Sequence, residues 1–280
     1  MKTLLCGIAR MENDYIREWV EYNKNIGFTN ICLYDNNFDG EQDFHDAIGD
    51  YIENGYVILK DYRNRMVCQL EAYTECYAEY GNYYDWIAFF DSDEFISLNG
   101  YKDITSYLSD PKFNNFYTIR VNWLMYGDND MLYNNGKPII ERFKYPLPIY
   151  QYAENRQFKS IVRGRQKIKT DDNCNGFEFL NPHMVNLYPV CNNSGISINF
   201  TSTRIPINYD SACLNHYCSK TAREYCNKIS RGFPDHDINL LKNRKEQLIN
   251  LVFFKMNSVT SEKVQIFKDV LGIDVSYLLK

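Results

Sequence analysis

Across roughly the first hundred residues, short apolar runs alternate with stretches whose apolar positions repeat at helical spacing. That alternation predicts a sheet with crossover helices. Residues 3–9 read as a buried strand. Residues 13–26 place Ile16, Trp19, Val20 and Ile26 at helical spacing, and Gly27 stops the helix as a C-terminal glycine does. Strands are expected again at 30–34 and 56–60, with a short helix over 44–53 between them. A helix over 65–80 leads into Trp86-Ile87-Ala88-Phe89-Phe90, an unbroken apolar run that suits a central strand covered on both faces. The order β-α-β-α-β-α-β is that of a nucleotide-binding half-sheet. No GxGxxG follows the first strand and no GxxxxGK[ST] occurs, which disfavours a dinucleotide dehydrogenase and a P-loop enzyme.

Beyond Tyr101 the regularity fades. A strand is expected to run through Trp123, residues 129–152 form an irregular excursion rich in Asn, Gly and Pro, and another strand covers 158–163. Long loops inside a domain are usually functional. Helical pattern resumes at Ala222, and residues 240–280 read as two or three amphipathic helices, for example over 242–254. They are expected to cap the domain, the alternative being partner docking or a membrane-surface role. The expected division is a domain over 1–232, its nucleotide-binding half ending near residue 100 and its acceptor half following, and a helical extension over 233–280.

Composition narrows the class. The chain is 45% hydrophobic and 24% charged, ordinary for a folded protein. Its formal charge of −5 argues against a nucleic-acid partner, which demands a concentrated basic surface. The 24 Tyr and 17 Phe supply faces that stack on sugars and bases, although most will fill the core. Nine scattered cysteines without a CxxC read as reduced thiols in a cytoplasm. The apolar run 4–9 is too short for a signal segment or a membrane span.

The sharpest chemical signal is Asp91-Ser92-Asp93-Glu94, directly after the apolar run. Ligands of open α/β sheets bind at strand carboxyl ends. Residues two apart in an extended segment share a side, so Asp91 and Asp93 can converge on one ligand. Carboxylates so crowded call for a neutralising cation, and Mn²⁺ or Mg²⁺ completed by substrate phosphate oxygens answers that need. The segment Asp35-Asn36-Asn37-Phe38-Asp39-Gly40 resembles a calcium loop, but position twelve is Asp46 rather than Glu and a strand precedes it. As a strand-to-helix turn, it would aim Asp35 at the base or ribose of a nucleotide.

The chain as a whole resembles glycosyltransferase family 92 and its bacterial family-2-like relatives. The matching stretches are Ala9-Arg10-Met11-Glu12-Asn13, Arg17 to Tyr22, Leu33 to Asn37, Asp91 to Phe95, Trp123 with Tyr126-Gly127, Glu141-Arg142-Phe143, Phe158 to Val162, His216-Tyr217 with Lys220, and Arg231-Gly232. The resemblance implies an α/β fold of GT-A type, a mixed sheet flanked by helices, with a nucleotide-sugar donor, a divalent cation at Asp91 and Asp93, and inversion at the anomeric carbon. It also implies donor contacts from Arg10 and Lys220 and a metal histidine at His216, with His183 as second choice; His45 and His236 have no supporting context.

Lys159 and Arg163 are candidates to clamp the departing diphosphate, whose growing charge needs a cation. For the general base, Glu141 comes first, since it follows Pro138 as if at a helix start, where the dipole favours a carboxylate. Asp128 is the alternative. Trp123 and Tyr126 would wall the acceptor, a glycan or glycolipid. The setting implied is synthesis of a bacterial surface polysaccharide or lipopolysaccharide, in the cytoplasm or peripherally at the inner face of the membrane. The rival readings are an inactive nucleotide-sugar-binding protein and a metal-dependent nucleotidyltransferase.

Overall fold

The computed structural model describes residues 1–168, 177–232 and 244–279. The expected alternation opens the chain: β1 (Thr3–Ala9), α1 (Asn13–Asn25), β2 (Asn30–Asp35), α2 (Phe44–Glu53), β3 (Val57–Asp61), α3 (Gln69–Tyr80) and β4 (Trp86–Phe89). Then come β5 (Glu94–Leu98), α4 (Ile104–Leu108), β6 (Thr118–Met125), α5 (Ile139–Arg142) and β7 (Phe158–Arg163). The short strands β8 (Phe179–Asn181), β9 (Met184–Val185) and β10 (Val190–Asn192) precede β11 (Ala212–His216) and α6 (Ala222–Arg231). Past residue 243 lie α7 (Lys245–Leu248), a π-helical turn (Ile249–Phe253), α8 (Phe254–Met256) and α9 (Ser261–Leu271).

Helix α3 starts four residues later than the pattern predicts. Arg63 bonds Asp35 and the carbonyls of Gln42 and Phe38, and Asn64 (φ 61°) and Val67 (φ 52°) turn the chain in left-handed conformations before the helix begins. Strand β5 was not anticipated, because its first residue also closes the acidic motif. The predicted strand over 158–163 is present as β7, and the expected mixed α/β sheet flanked by helices is what the chain forms.

The main sheet runs β3-β2-β1-β4-β7-β6-β11-β5, with β10 beside β6. Strands β3, β2, β1 and β4 are parallel, β7 is antiparallel to both β4 and β6, and β11 runs parallel to β6 and antiparallel to β5. The carboxyl ends of β1, β4, β6 and β11 and the amino ends of β7 and β5 all reach the same edge of the sheet.

Alternation along the strands sends neighbouring residues to opposite faces. Leu5, Leu33, Trp86 and Ala88 pack with Trp19, Val20 and Phe28 on one side, and Leu4, Cys6, Ile87 and Phe89 with Tyr73, Cys76 and Tyr77 on the other. Gly7 is needed where α1 crosses β1, since a Cβ there would lie 3.0 Å from the Trp19 ring and 3.1 Å from the Phe90 carbonyl oxygen. The predicted C-terminal helices form a third core with α6, in which Tyr225, Ile229, Ile249, Phe253, Val264 and Phe267 meet. Among the described residues no helix is long and apolar enough to cross a membrane. The eight described cysteines are free thiols; Cys174, His236 and the start of the helix expected over 242–254 lie outside the described residues.

Candidate active site

At the shared edge the structure opens a cleft of about 330 Å³. Its polar side is built from Arg10 and Glu12 after β1, Gln69 at the start of α3, Asp91 and Asp93 after β4, Lys159 on β7, His216 on β11, and Lys228 and Arg231 on α6. Its apolar side is built from Trp123, Met125, Tyr225, Leu248, Leu251, Val252 and Met256. The C-terminal helices therefore form one wall of the cleft.

The two motif aspartates do different work. Asp91 is immobilised: Gln69 and Tyr73 donate to Oδ1, both at 3.0 Å, and Lys159 lies 2.9 Å from Oδ2. Burial raises the Asp91 carboxyl and Lys159 outweighs it, leaving the group below its ordinary value. Burial likewise lowers Lys159, and Asp91 and Glu94 more than reverse it, so the ammonium stays charged although its side chain is wholly buried. Glu94 stands behind this pair, accepting from the Asp91 amide at 2.8 Å and from Trp123 Nε1 at 2.7 Å. It thereby sets both the turn of the motif and the plane of the indole.

Asp93 faces the cleft. Its Oδ2 accepts from Lys228 Nζ at 2.6 Å, and its Oδ1 lies 3.5 Å from His216 Nε2. Burial pushes this carboxyl up, but Lys228 and His216 together hold it well below the usual carboxylate range. Next to it, Glu12 is paired with Arg231 and, at 3.3 Å, with Lys220. Met11 (φ 53°) and Lys220 (φ 48°) are left-handed on either side of that pair, a backbone arrangement uncommon outside glycine that clusters at functional sites.

The neutralising cations that the crowded carboxylates call for are thus lysines in the first instance. Among the described residues no group of three His, Cys, Asp or Glu could hold a metal by itself. Asp93 and His216 do offer an oxygen and a nitrogen to one point, and His216 Nδ1 is buried with no partner among the described residues. That donor set fits a divalent ion whose coordination phosphate oxygens complete, and does not fit a closed protein cage.

Of the residues proposed from sequence, the cleft brings together Arg10, Asp91, Asp93, Lys159, His183, His216 and Trp123. Arg10 bonds Glu41 and stacks on Phe38 at 3.9 Å. Lys220 lines an adjoining polar pocket, over the Tyr15 ring at 3.6 Å. His183 Nδ1 is 2.9 Å from the Phe158 carbonyl oxygen, and burial, helped by Lys159, lowers its pKa to about 4. It is a neutral imidazole with Nε2 as the acceptor nitrogen.

The other expected residues lie elsewhere. Arg163 is at the opposite end of β7, because that strand is antiparallel to β4; it caps the Phe113 and Phe116 carbonyls and stacks on Trp86 at 4.1 Å. Asp35 is consumed by Arg63 at 2.9 Å and by Asn37, and lines a separate shallow pocket. Glu141 is exposed on α5 outside the cleft lining, and its neighbour Arg142 pairs with Glu224 at 2.9 Å. Asp128 is buried against Lys263 at 2.6 Å, tying the excursion to α9. Tyr126 packs against Tyr217 in the core rather than facing the cleft. Conversely, Gln69, Lys228 and the pairing of Glu12 with Arg231 were missed as site residues, although Glu12 and Arg231 fall within the matching stretches.

The family model described as "Glycosyltransferase family 92" matches residues 5–247, and the chain belongs to that family. A family 92 glycosyltransferase protein of Ricinus communis is 28% identical over 94 residues, 34% of this chain and 17% of that protein. The chain thus matches a small part of that relative's length. Solved structures with some likeness are S. aureus TarS (TM-score 0.42, 13% identity, 97% of this chain and 48% of that one) and a mannosyltransferase of Pyrobaculum calidifontis with GDP-Man and Mn²⁺ (TM-score 0.32, 11% identity, 43% and 35%). A TarS fragment in complex with UDP-GlcNAc gives TM-score 0.42 at 12% identity, over 97% of this chain and 81% of that one.

Proposed function

We propose that this chain transfers a hexose from a nucleotide-diphosphate sugar, a UDP-sugar in the first instance, to a hydroxyl group of a glycan or glycolipid. The observation that carries the reading is the cluster in which Lys228 pairs with Asp93, and Lys220 and Arg231 with Glu12, where β1, β4 and β11 end. A leaving nucleoside diphosphate gains negative charge as its bond to the sugar breaks, and cations fixed at that point stabilise it more than they stabilise the substrate. A Mn²⁺ or Mg²⁺ ion held by Asp93 and His216 would add Lewis-acid neutralisation of the same charge.

The acceptor approaches along Trp123, whose indole plane is fixed by Glu94 and suits the face of a sugar ring. His183, beside Trp123 with ring centroids 5.1 Å apart, is held neutral and takes the hydroxyl proton at Nε2. This reading has the base act from the side opposite the leaving group, so that the transfer would invert the anomeric carbon. Synthesis of a bacterial surface polysaccharide or lipopolysaccharide, at the cytoplasmic face of a membrane, is the setting that such an acceptor would give.

The test is to incubate the purified chain with a panel of nucleotide sugars and a glycan acceptor, with Mn²⁺ and with EDTA. Release of nucleoside diphosphate dependent on the acceptor is expected. Release of pyrophosphate instead would identify a nucleotidyltransferase, and donor binding without turnover an inactive protein.

A further inference from the structure

Asp93 has a basic side chain at each oxygen, and the two are not equivalent. His216 approaches Oδ1 from β11, a strand of the sheet, at 3.5 Å. Lys228 approaches Oδ2 from α6 at 2.6 Å, on a four-carbon stem whose side chain keeps 19% of its surface exposed and borders the cleft. A second acceptor for the same ammonium, the Cys218 carbonyl oxygen, lies 3.3 Å away. Lys159 on Asp91 is the contrasting case, with no exposed surface and a strand on each side.

Among the described residues Lys220, Lys228 and Arg231 stand around Glu12 and Asp93, so a phosphate entering beside Asp93 meets three cations. A divalent ion arriving between Asp93 Oδ1 and His216 meets a carboxylate already neutralised at Oδ2 by an ammonium, and two cations at one carboxylate repel. A nucleoside diphosphate arriving alone meets an ammonium that is committed to Asp93. Only the two together satisfy every group, the metal taking the carboxylate and the phosphate taking the lysine.

Building on the donor reading above, we infer that Lys228 is a place-holder for the divalent ion: it neutralises Asp93 in the unliganded protein and transfers to the diphosphate when the metal–nucleotide complex binds. Lysine suits the role because it is a compact charge on a flexible stem, able to change partners without moving the helix that bears it. Metal and nucleotide are then coupled through one side chain, each raising the affinity of the other by the same factor.

Calorimetric titrations of Mn²⁺ alone, of UDP in EDTA and of UDP at saturating Mn²⁺, into the wild type, Lys228→Met and Asp93→Asn, test this. Loss of a charge-assisted hydrogen bond changes an affinity by roughly ten- to a hundredfold. In Lys228→Met, Mn²⁺ alone is expected to bind about tenfold tighter and UDP with Mn²⁺ about tenfold weaker. In Asp93→Asn, UDP in EDTA is expected to bind tighter than to the wild type, because Lys228 is released. Damage to the fold weakens both ligands, so the opposite signs belong to the exchange alone. Unchanged or weaker Mn²⁺ binding in Lys228→Met, or weaker UDP binding in EDTA to Asp93→Asn, would overturn the inference and leave the donor reading standing. A wild type that binds neither UDP nor Mn²⁺ would overturn both.

Discussion

The ammonium of Lys159 lies 2.9 Å from Oδ2 of Asp91, joining β7 to the turn after β4 at the floor of the cleft. The bond explains why the first aspartate of the motif is a fixed post while the second, Asp93, faces the ligand side. Lys159→Met leaves the half-buried Asp91 carboxylate without its cation, and losing a hydrogen bond to a charged group costs about 1.5–3 kcal/mol. Denaturant unfolding at neutral pH reads that loss. Asp91 has its folded pKa below its ordinary value, so its contribution is present above the unfolded pKa and vanishes as pH falls through the folded one. The gap between wild type and variant is therefore expected to narrow in acid.

A second buried pair gives a sharper pH signature. Glu224 holds Arg142 at 2.9 Å, and although burial opposes it, the pairing brings the Glu224 carboxyl down to about 2 from 4.5. Because the folded pKa is depressed, the stabilisation is complete above about pH 4.5 and is lost as pH falls toward 2. Arg142→Leu is expected to flatten that part of the acid stability profile while lowering stability at neutral pH. A variant retaining the wild-type slope between those values would contradict the assignment.

How far the sequence carried the reading depended on distance along the chain. The half-sheet to β4 and the site's position after it were legible, because the periodicities there are local and parallel strands place ligands at their carboxyl ends. Which carboxylate would do what was not legible. Glu141 and Asp128 looked suitable from their neighbours in sequence, yet α5 turns the first to solvent and Lys263, far along the chain, claims the second. Arg163 shares a strand with Lys159, and only the antiparallel register shows that it emerges at the opposite edge. Lys228 reaches Asp93 from 135 residues away, a pairing no local pattern encodes.

Those placements make Glu141 and Asp128 informative in their own right. Glu141→Gln is expected to leave turnover within about twofold of wild type, as for an exposed substitution away from any site. Asp128→Asn is expected to lower the melting temperature, since Lys263 loses its buried partner, while kcat/KM of the folded enzyme stays unchanged. A large fall in kcat for either variant would return that residue to the chemistry.

His183→Gln separates proton transfer from binding. Loss of a general base reduces turnover by roughly 10²–10⁴-fold. UDP affinity is expected to stay near the wild-type value, because the imidazole is assigned to the acceptor. Lost nucleotide or Mn²⁺ affinity with turnover preserved would make His183 a donor-side residue instead.

A nucleoside diphosphate is expected to bind between Asp93 and the cations of α6. Diffraction from crystals soaked with UDP and Mn²⁺ tests it most directly. The expected result is pyrophosphate density within hydrogen-bonding reach of Lys228 and Arg231, with the ion between it and Asp93. Nucleotide bound at another edge of the sheet, or Asp93 still paired with Lys228 in a crystal where UDP has bound, would contradict it.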